Sequence, residues 1–334
     1  MSDNLVLFGA GACGRYALKF LREKGIEPYA FVDNNEAKWG TLIEGVSVFS
    51  PEEVLEFKPN STWVATAISR PAATEIRAQM KSMGVNTKPL WECIPVHHGL
   101  PSDQVQSKLI RLSADASSVR ELMNQFNFRE KPDYDKQIPP SPMSELYFPD
   151  FITHLDDEHF VDCGAADGDT IQMFMDRWAK WGNITAFEPD ISNFEKLRSR
   201  HYSIPNINGR IAAVGDREHA VAFESNGDYS SRIIDGVEQT VMCVRLDDQE
   251  FVSPPTYIKA DVEGSELELL WGARRIIKEH APVLAVCAYH ESSHLWEIPL
   301  LIHALNPEYK LYFRRYGEGA FEIIWYAVPP ERVK

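Results

Sequence analysis

The chain has 334 residues, which is long enough for two domains that each bury a core of their own. Its content of 44% hydrophobic and 25% charged residues is that of an ordinary globular protein. The 34 Lys and Arg residues are outnumbered by 49 Asp and Glu residues, which gives a net charge of -15. Such a charge disfavours binding to nucleic acid or to an anionic membrane surface, so we expect a small-molecule or glycan partner.

The five cysteines are scattered and none is spaced as CxxC, which indicates buried free thiols in a reducing cytoplasm rather than a disulfide framework. The first residues lack the basic and apolar regions of a signal peptide, and no apolar run reaches the length of a membrane span. We therefore expect a cytoplasmic chain that does not insert into a membrane.

The first motif follows a short apolar stretch near the start of the chain. Residues 4–8 predict a strand, and residues 9–14, GAGACG, have the GxGxxG spacing of a loop that leads into a helix. Asp33 stands at the end of the next predicted strand. These features resemble a dinucleotide-binding unit, in which the helix N-terminus meets phosphates and the acid binds ribose hydroxyls. We predict a nucleotide pocket that includes Gly9, Gly11, Gly14 and Asp33.

The residues around that acid indicate which nucleotide the module binds. The patterns at residues 31–35, 38–40, 45–48 and 51–53 resemble the small Rossmann-like module of nucleotide-sugar-modifying enzymes. The resemblance implies a sugar nucleotide rather than NAD. The alternative is a docking or dimerisation module with an empty pocket, and a homo-oligomer is then expected.

The composition changes after this module. Residues 96–149 contain polar helical sequence and then a proline cluster at residues 138–142, IPPSP, which cannot continue a helix. We interpret this segment as a linker between a nucleotide-binding module at residues 1–95 and a second domain at residues 150–334.

The second domain is organised around residues 160–170, FVDCGAADGDT. The first four residues predict a buried strand, and the two glycines predict a loop that lets a ligand approach the backbone. Either Asp169 or Thr170 is expected to cap the following helix. Later in the domain, Ser265 and Glu268 have the spacing of a capping box.

Strands and helices alternate through the rest of the domain, which predicts an α/β fold with a mostly parallel sheet. An added hairpin is predicted at residues 220–224 and 240–246, and an antiparallel β-pair closes the domain. The remaining strands are predicted at residues 184–187, 210–214, 256–259, 283–288, 310–314 and 322–328.

Four successive strand ends carry acids or an imidazole. They are Asp162, Glu188, Asp261 with Glu263, and His290. Since the carboxyl ends of parallel strands meet at one edge of a sheet, where α/β proteins bind ligands, we expect these side chains to converge on one site.

Several segments together carry a family resemblance. They are VDCGAADGDT at residues 161–170, FEP at 187–189, LDD at 246–248 and YIKADVEGSE at 257–266. With their surroundings, residues 145–330, they are similar to the FkbM family of S-adenosylmethionine-dependent methyltransferases. The resemblance implies a second Rossmann-like domain with the class I methyltransferase sheet, and S-adenosylmethionine as the cofactor.

The resemblance and the chemistry of that cofactor assign roles to individual residues. Asp162 is expected to bind the ammonium group of the cofactor directly or through water, and Glu188 to bind the ribose hydroxyls. Ala213 and Ala212 are expected to flank the adenine. The residues expected to bind the cofactor are Asp162, Gly164, Ala165, Asp167, Gly168, Thr170, Glu188, Ala213 and Asp261.

A hydroxyl acceptor has to lose a proton during methyl transfer. His290 is the predicted base, because its ordinary pKa lies close to neutral pH, and Asp261 either orients it or accepts the proton. The sequence has no metal-ligand spacing, so a metal is not favoured; Asp261 and His290 are the expected ligands if one is used. Weaker candidates for the acceptor side are Lys259, His294, Arg314 and Arg315.

The sequence thus predicts an O-methyltransferase that acts on a hydroxyl of a sugar, glycan or small natural product, free or nucleotide-linked. Two alternatives stay open. One is an NAD(P)-dependent oxidoreductase built on the N-terminal domain, and the other is a non-catalytic scaffold that binds nucleotide sugars.

Overall fold

A computed structural model describes residues 4–66, 70–87, 99–130, 136–222, 240–317 and 319–334. The chain divides into two compact units. Unit 1 consists of Met1–His98, Asn127–Gln137 and Gly317–Phe321, and unit 2 of Gly99–Phe126, Ile138–Tyr316 and Glu322–Lys334. Residues 99–126, which we interpreted as part of a linker, therefore belong to unit 2.

Unit 1 contains a six-stranded sheet in the order β3-β4-β2-β1-β5-β6, in which only the β3–β4 pair is antiparallel. Alternate side chains of the central strand enter two different apolar clusters: Leu5 and Leu7 enter one, and Val6 and Phe8 the other. This alternation buries both faces of the sheet. The elements are β1 (Leu5–Phe8), α1 (Ala12–Glu23), β2 (Ala30–Val32), β3 (Leu42–Ile43), β4 (Val46–Phe49), α2 (Pro51–Phe57), β5 (Thr62–Ala65), α3 (Arg70–Ser82) and β6 (Asn86–Thr87).

The predicted strand, glycine loop and helix at the start of the chain are confirmed by β1 and α1. The last glycine of the motif has a packing role. A Cβ at Gly14 would lie 2.0 Å from the carbonyl oxygen of Gly9, so only glycine lets α1 begin this close to the loop. By contrast, a Cβ at Gly11 would meet no atom within 4 Å.

Unit 2 contains a seven-stranded sheet in the order β15-β16-β14-β13-β7-β8-β9. The strands are parallel except for β16, which runs antiparallel to both of its neighbours. The predicted fold, a mostly parallel sheet with a closing antiparallel pair, is confirmed. The elements from β7 onward are β7 (His159–Cys163), α6 (Asp169–Arg177), β8 (Asn183–Phe187), α7 (Ile191–His201), β9 (Ile207–Arg210), β10 (Ala213–Val214), β11 (His219–Ala222), β12 (Thr240–Val244), β13 (Tyr257–Ala260), α8 (Glu266–Gly272), α9 (Arg274–His280), β14 (Val283–Cys287), α10 (His294–Leu305), β15 (Lys310–Arg315) and β16 (Ile323–Val328).

The central strands of this sheet are buried at every position, as is typical of a parallel sheet covered on both faces. Aromatic rings fill one side of the core. The ring of Phe160 on β7 stacks on that of Phe174 on α6 with their centroids 4.7 Å apart, and Phe148 packs edge-on against both. This core holds β7, and hence the loop that follows it, in a defined position.

A small second sheet has the order β10-β12-β11. The predicted hairpin is confirmed where β11 pairs antiparallel with β12, while the connection at residues 223–239 lies outside the described residues. The single strand predicted at residues 210–214 is wrong. Backbone pairing divides it between two sheets: Arg210 ends β9 in the large sheet, and Ala213 pairs with β12 in the small one.

Two helices, α4 (Asp103–Leu112) and α5 (Ala116–Glu130), occupy the segment interpreted as a linker. The chain between them follows the edge strand β15: the amide of Ala114 donates to the carbonyl of Leu311, and the amide of Phe313 donates to the Ser118 hydroxyl. Arg315 forms a buried ion pair with Glu121 at 2.8 Å. These contacts satisfy backbone groups of an edge strand, which explains why residues 99–126 belong to unit 2.

Helix α10 has 12 residues and an interior proline, Pro299. Its apolar residues Leu295, Ile298 and Ile302 are buried. In the part of the chain that the structure describes, no helix has both the length and the apolar character that a bilayer span requires.

We predict that Gly14→Ala destabilises unit 1, whereas Gly11→Ala does not. The added Cβ of Gly14→Ala forces the backbone apart and should lower the free energy of unfolding by about 1–3 kcal/mol. Gly11→Ala adds the same methyl group in open space and should cost less than about 1 kcal/mol. Calorimetric unfolding of the two variants measures the difference, and equal losses would contradict the packing role of Gly14.

Candidate active site in unit 2

A cavity of about 290 Å³ opens in unit 2 where the chain leaves the carboxyl ends of β7, β8, β13 and β14. Five residues proposed from the sequence as cofactor ligands line it: Gly164, Thr170, Glu188, Ala213 and Asp261. Lining residues without a role in that proposal include Tyr147, Ala166, Asp169, Asn193, Tyr289 and Glu322. Predicted residues from several strand ends therefore meet at the carboxyl edge of the sheet, as the parallel arrangement of the strands implied.

The loop after β7 is held by its neighbour β8. The amides of Gly164 and Ala165 both donate to the carbonyl of Phe187, at 3.0 and 3.1 Å. Gly164 has a φ of +78°, and a Cβ there would lie 1.8 Å from the carbonyl oxygen of Asp261. The missing Cβ makes room for the backbone after β13, while Gly164 itself still lines the cavity.

The start of α6 also differs from the prediction. The helix begins at Asp169 and its N-cap is Gly168, which has a φ of +85° and offers no side-chain cap. Asp169 and Thr170 therefore lie inside the first turn and line the cavity. An acid in the first turn is stabilised by the positive end of the helix dipole.

Glu188 reaches the cavity from the end of β8. Its two carboxylate oxygens accept the amides of Ala166 and Asp190, at 2.7 and 2.8 Å. Burial raises the pKa of Glu188 to about 7, although these two hydrogen bonds act in the opposite direction. Each oxygen keeps a second lone pair, so the carboxylate has unused acceptor capacity beside the cavity.

Asp162 does not line the cavity. It is fully buried, and Oδ1 lies 3.1 Å from Nζ of Lys259, which is 2% exposed and does line the cavity. Lys259 also donates to the carbonyl of Gly164 at 2.6 Å. Burial would lower the pKa of Lys259, but Asp162 and Asp261 raise it above its ordinary value. Asp162 thus contacts the ammonium group of Lys259, and its predicted contact with the ammonium group of the cofactor, directly or through water, stays a prediction.

Several other predicted residues lie away from the cavity lining. Asp167 pairs with Arg200 at 2.9 Å, and Ala165 is completely buried. The predicted residues that do not line the cavity are Asp162, Ala165, Asp167, Gly168, His290, His294, Arg314 and Arg315. These residues were predicted from their positions in the sequence. Whether a residue faces the cavity depends on the direction of its side chain, which those positions do not give.

Tyr147 is a cavity residue that sequence reasoning missed. Its hydroxyl donates to Oδ2 of Asp261 at 2.9 Å, and its backbone has a φ of +63°, which is unusual for a tyrosine. The hydroxyl of Tyr326 accepts its amide at 3.0 Å, and the hydroxyl of Tyr257 donates to its carbonyl. Two core tyrosines thus hold a strained residue against Asp261, and such strain is common at functional sites.

His290 lies next to Asp261 and Glu263 but does not line the cavity. Its Nε2 is 3.4 Å from Asp261 and 3.6 Å from Glu263, and its Nδ1 is 2.8 Å from Glu266. Burial would lower the pKa of His290, but the three carboxylates raise it to about 9. His290 does not line the cavity and both of its ring nitrogens face carboxylates, so this geometry gives no support to its predicted role as the base.

Glu266 is the buried anchor of this region. Its Oε1 accepts the amides of Val262 and Gly264, at 3.0 and 3.4 Å, and its Oε2 lies 3.0 Å from Nδ1 of His294. Burial would raise the pKa of Glu266, but the two histidines hold it well below its ordinary range. The predicted capping box is wrong: Ser265 makes no cap, and Glu266 satisfies the loop amides instead.

Two further carboxyl groups line the acidic side of the cavity. The pKa of Glu263 is raised to about 7, first by burial and then by the neighbouring carboxylates. The pKa of Glu322 is raised to about 7 by burial and by Asp261. Glu322 follows a turn before β16, and its sequence context contains no signal that points to a site.

The predicted nucleotide pocket of unit 1 contains an acid that is already engaged. Oδ2 of Asp33 accepts the amide of Ala10 and the ammonium group of Lys38, at 2.8 and 2.9 Å, and Oδ1 accepts the amide of Asn35 at 2.9 Å. Asp33 therefore closes the loop after β1 through protein contacts. Nothing in this geometry favours the oxidoreductase alternative.

A seven-stranded sheet with one antiparallel strand next to its edge, and a carboxylate-lined cavity at its carboxyl end, defines a methyltransferase-type fold. Residues 162–317 match the family model described as the methyltransferase FkbM domain. That match confirms the resemblance of this part of the chain to the FkbM methyltransferases. Residues 1–90 match a different model, described as C2185-like, N-terminal, so the first module is a separate one. No curated protein matches the chain.

Solved structures include a close match in fold. The methyltransferase FkbM from Methylobacillus flagellatus KT is 23% identical, covers 98% of this chain and 90% of its own, and has a TM-score of 0.76. UDP-D-quinovosamine 4-dehydrogenase from Vibrio fischeri is 22% identical over 27% of this chain and 78% of its own, with a TM-score of 0.24. Precorrin-6y C5,15-methyltransferase from Geobacter metallireducens GS-15 is 13% identical over 57% of this chain and 94% of its own, with a TM-score of 0.35. Only the first of these scores supports an argument about fold.

We predict that Lys259→Met destabilises the protein by about 3–5 kcal/mol, because it leaves the carboxylate of Asp162 buried without its cation. The double variant Asp162→Leu with Lys259→Met removes both charges and should recover more than half of the loss. Urea unfolding of both variants provides the measurement. If the double variant is as unstable as the single one, the ion pair is not the source of the loss.

Proposed function

We propose that the protein is an S-adenosylmethionine-dependent O-methyltransferase that acts on a hydroxyl of a sugar, glycan or small natural product. The observation that carries this proposal is the position of Glu188, a buried carboxylate with free acceptor capacity at the edge of the cavity. The match of residues 162–317 to a methyltransferase family supports the same reaction class.

The donor side of the cavity fits the cofactor. Glu188 would accept both ribose hydroxyls through the lone pairs that Ala166 and Asp190 leave unused. The small side chains of Ala212 and Ala213 line the cavity and leave room for a flat ring. S-adenosylmethionine supplies an electrophilic methyl group when it is bound. Through its ion pair with Lys259, which donates to the carbonyl of Gly164, Asp162 also holds the loop after β7 in place.

The acceptor side is the acidic part of the cavity, where Asp261, Glu263 and Glu322 lie. Asp261 is positioned by the Tyr147 hydroxyl, and its remaining lone pairs are available to a hydroxyl that donates a hydrogen bond. Holding that hydroxyl in one orientation accounts for much of the rate enhancement expected in a transfer reaction. A cluster of acids favours neutral, hydroxyl-rich acceptors over anionic ones.

We further propose that the N-terminal module binds a nucleotide-linked sugar, through the glycine loop rather than through Asp33. This part of the proposal depends on the sequence pattern at residues 31–53 and on the open space beside Gly11. Saturation-transfer NMR with uridine diphosphate sugars provides the test, with Asp33 variants as a secondary comparison.

S-adenosylhomocysteine should bind the purified chain, and Glu188→Ala should weaken that binding by about 10- to 100-fold, since two hydrogen bonds to a charged acceptor are lost. The matched control is Glu195→Ala, which removes an exposed carboxylate on α7 and should leave the affinity unchanged. Isothermal titration calorimetry measures all three proteins. An absence of binding to the unaltered chain would overturn the cofactor proposal.

The affinity for S-adenosylhomocysteine should depend on pH. Ribose hydroxyls donate to the ionised carboxylate of Glu188, whose pKa is raised to about 7, so binding is strongest above pH 7. Below pH 7 the affinity should fall by about tenfold for each pH unit as this carboxyl becomes protonated. Glu188→Gln should bind more weakly and show a flat profile between pH 5 and pH 8. If the affinity of Glu188→Gln still falls below pH 7, a group other than Glu188 causes the pH dependence.

A further inference from the structure

Three side chains beside the cavity meet in an arrangement that the proposed methyl transfer does not by itself require. They are Asp261, Glu263 and His290, and one potential ligand atom from each lies within 4.8 Å of the other two. Two carboxylate oxygens and one imidazole nitrogen form a donor set that suits divalent cations such as Mn²⁺. Asp261 and Glu263 also line the cavity, so a cation bound here would be reached from it.

Nε2 of His290 is the independent observation that points to a ligand. The His290 side chain is 10% exposed, and within the described residues Nε2 has no hydrogen-bond partner. It nevertheless faces oxygens of Asp261 and Glu263, at 3.4 and 3.6 Å. A buried polar atom without a partner is uncommon and calls for an explanation, which a shared cation would provide.

The other ring nitrogen of His290, Nδ1, contacts a carboxylate, as is common for histidines in metal sites. Its Nδ1 lies 2.8 Å from Oε1 of Glu266, which is itself fixed by the amides of Val262 and Gly264. Histidines that bind metals commonly donate one ring N–H to a carboxylate, which orients the ring and directs the other nitrogen to the metal. Glu266 is therefore a positioning residue that orients the ring of His290.

The distances are compatible with an ion of ordinary size. Neighbouring ligands in octahedral coordination, with bonds of about 2.1 Å, are about 3.0 Å apart. The two separations from Nε2 exceed this by about half an ångström, which a small movement of the carboxylates closes. The Glu263 side chain is 34% exposed. Rotation about its outer side-chain bonds can therefore move the carboxylate closer to Nε2.

We propose that Asp261, Glu263 and His290 bind one divalent cation at the edge of the cavity. The positions not occupied by these ligands would face the acceptor side, where a coordinated hydroxyl loses its proton more easily. This role in catalysis rests on the proposed function, whereas cation binding itself does not.

Electron paramagnetic resonance of Mn²⁺ tests the site, because the six-line signal of free Mn²⁺ decreases when the ion binds. The full chain, treated with chelator and then desalted, should bind one Mn²⁺. Glu263→Gln and His290→Gln should each weaken this binding by about tenfold or more. The control is Glu195→Gln, which removes an exposed carboxylate on α7 and should change the affinity by less than about threefold.

The outcomes separate the two proposals. No binding of Mn²⁺ at millimolar concentration, or equal weakening in all three variants, overturns the cation site. Thermal unfolding checks that His290→Gln is folded, and if it is not, Glu263→Gln with its control decides. A chain that binds S-adenosylhomocysteine but not Mn²⁺ retains the proposed function and loses the cation site. A chain that binds Mn²⁺ specifically but not S-adenosylhomocysteine retains the site and loses the function.

Discussion

The arrangement of unit 2 depends on one buried cation, the ammonium group of Lys259. It lies on the central strand β13, pairs with Asp162 on β7 and donates to the carbonyl of Gly164. A charge that is 2% exposed is tolerated only when it is paired and hydrogen-bonded, so these contacts belong together. Because Asp261 is two residues further along, the same ion pair connects the loop after β7 with the acidic side of the cavity.

A second buried group, the carboxylate of Glu266, organises the loop after β13. It accepts the amides of Val262 and Gly264 and contacts two histidines, so the loop between β13 and α8 has little freedom. Glu263 has a φ of +53° in this loop, a conformation that needs such support. The resulting geometry turns the Glu263 carboxyl toward His290 and the cavity. A rigid loop that presents two acids is suited to holding a polar acceptor in one orientation.

The two units differ in how fully they use their glycine motifs. In unit 1 the last glycine of the motif serves packing, and Asp33 is occupied by protein donors. In unit 2 the glycines also serve packing, yet Glu188 and Asp261 remain available at the cavity. Gly14 and Gly164 therefore each serve a close backbone approach, and in unit 2 two carboxylates with free acceptor capacity line the cavity beside it.

The sequence by itself determined the α/β architecture of both units and the resemblance of residues 162–317 to the FkbM methyltransferases, because these depend on local periodicity and on contiguous motifs. It also identified Glu188 and Asp261, since the end of a parallel strand faces one edge of the sheet whatever the details of packing. Only the tertiary structure decided which other side chains reach the cavity. Tyr147 and Glu322 come from distant segments without a motif, whereas the side chain of Asp162 is directed to Lys259. Side-chain direction and long-range pairing are set by the packed core, which no local pattern encodes.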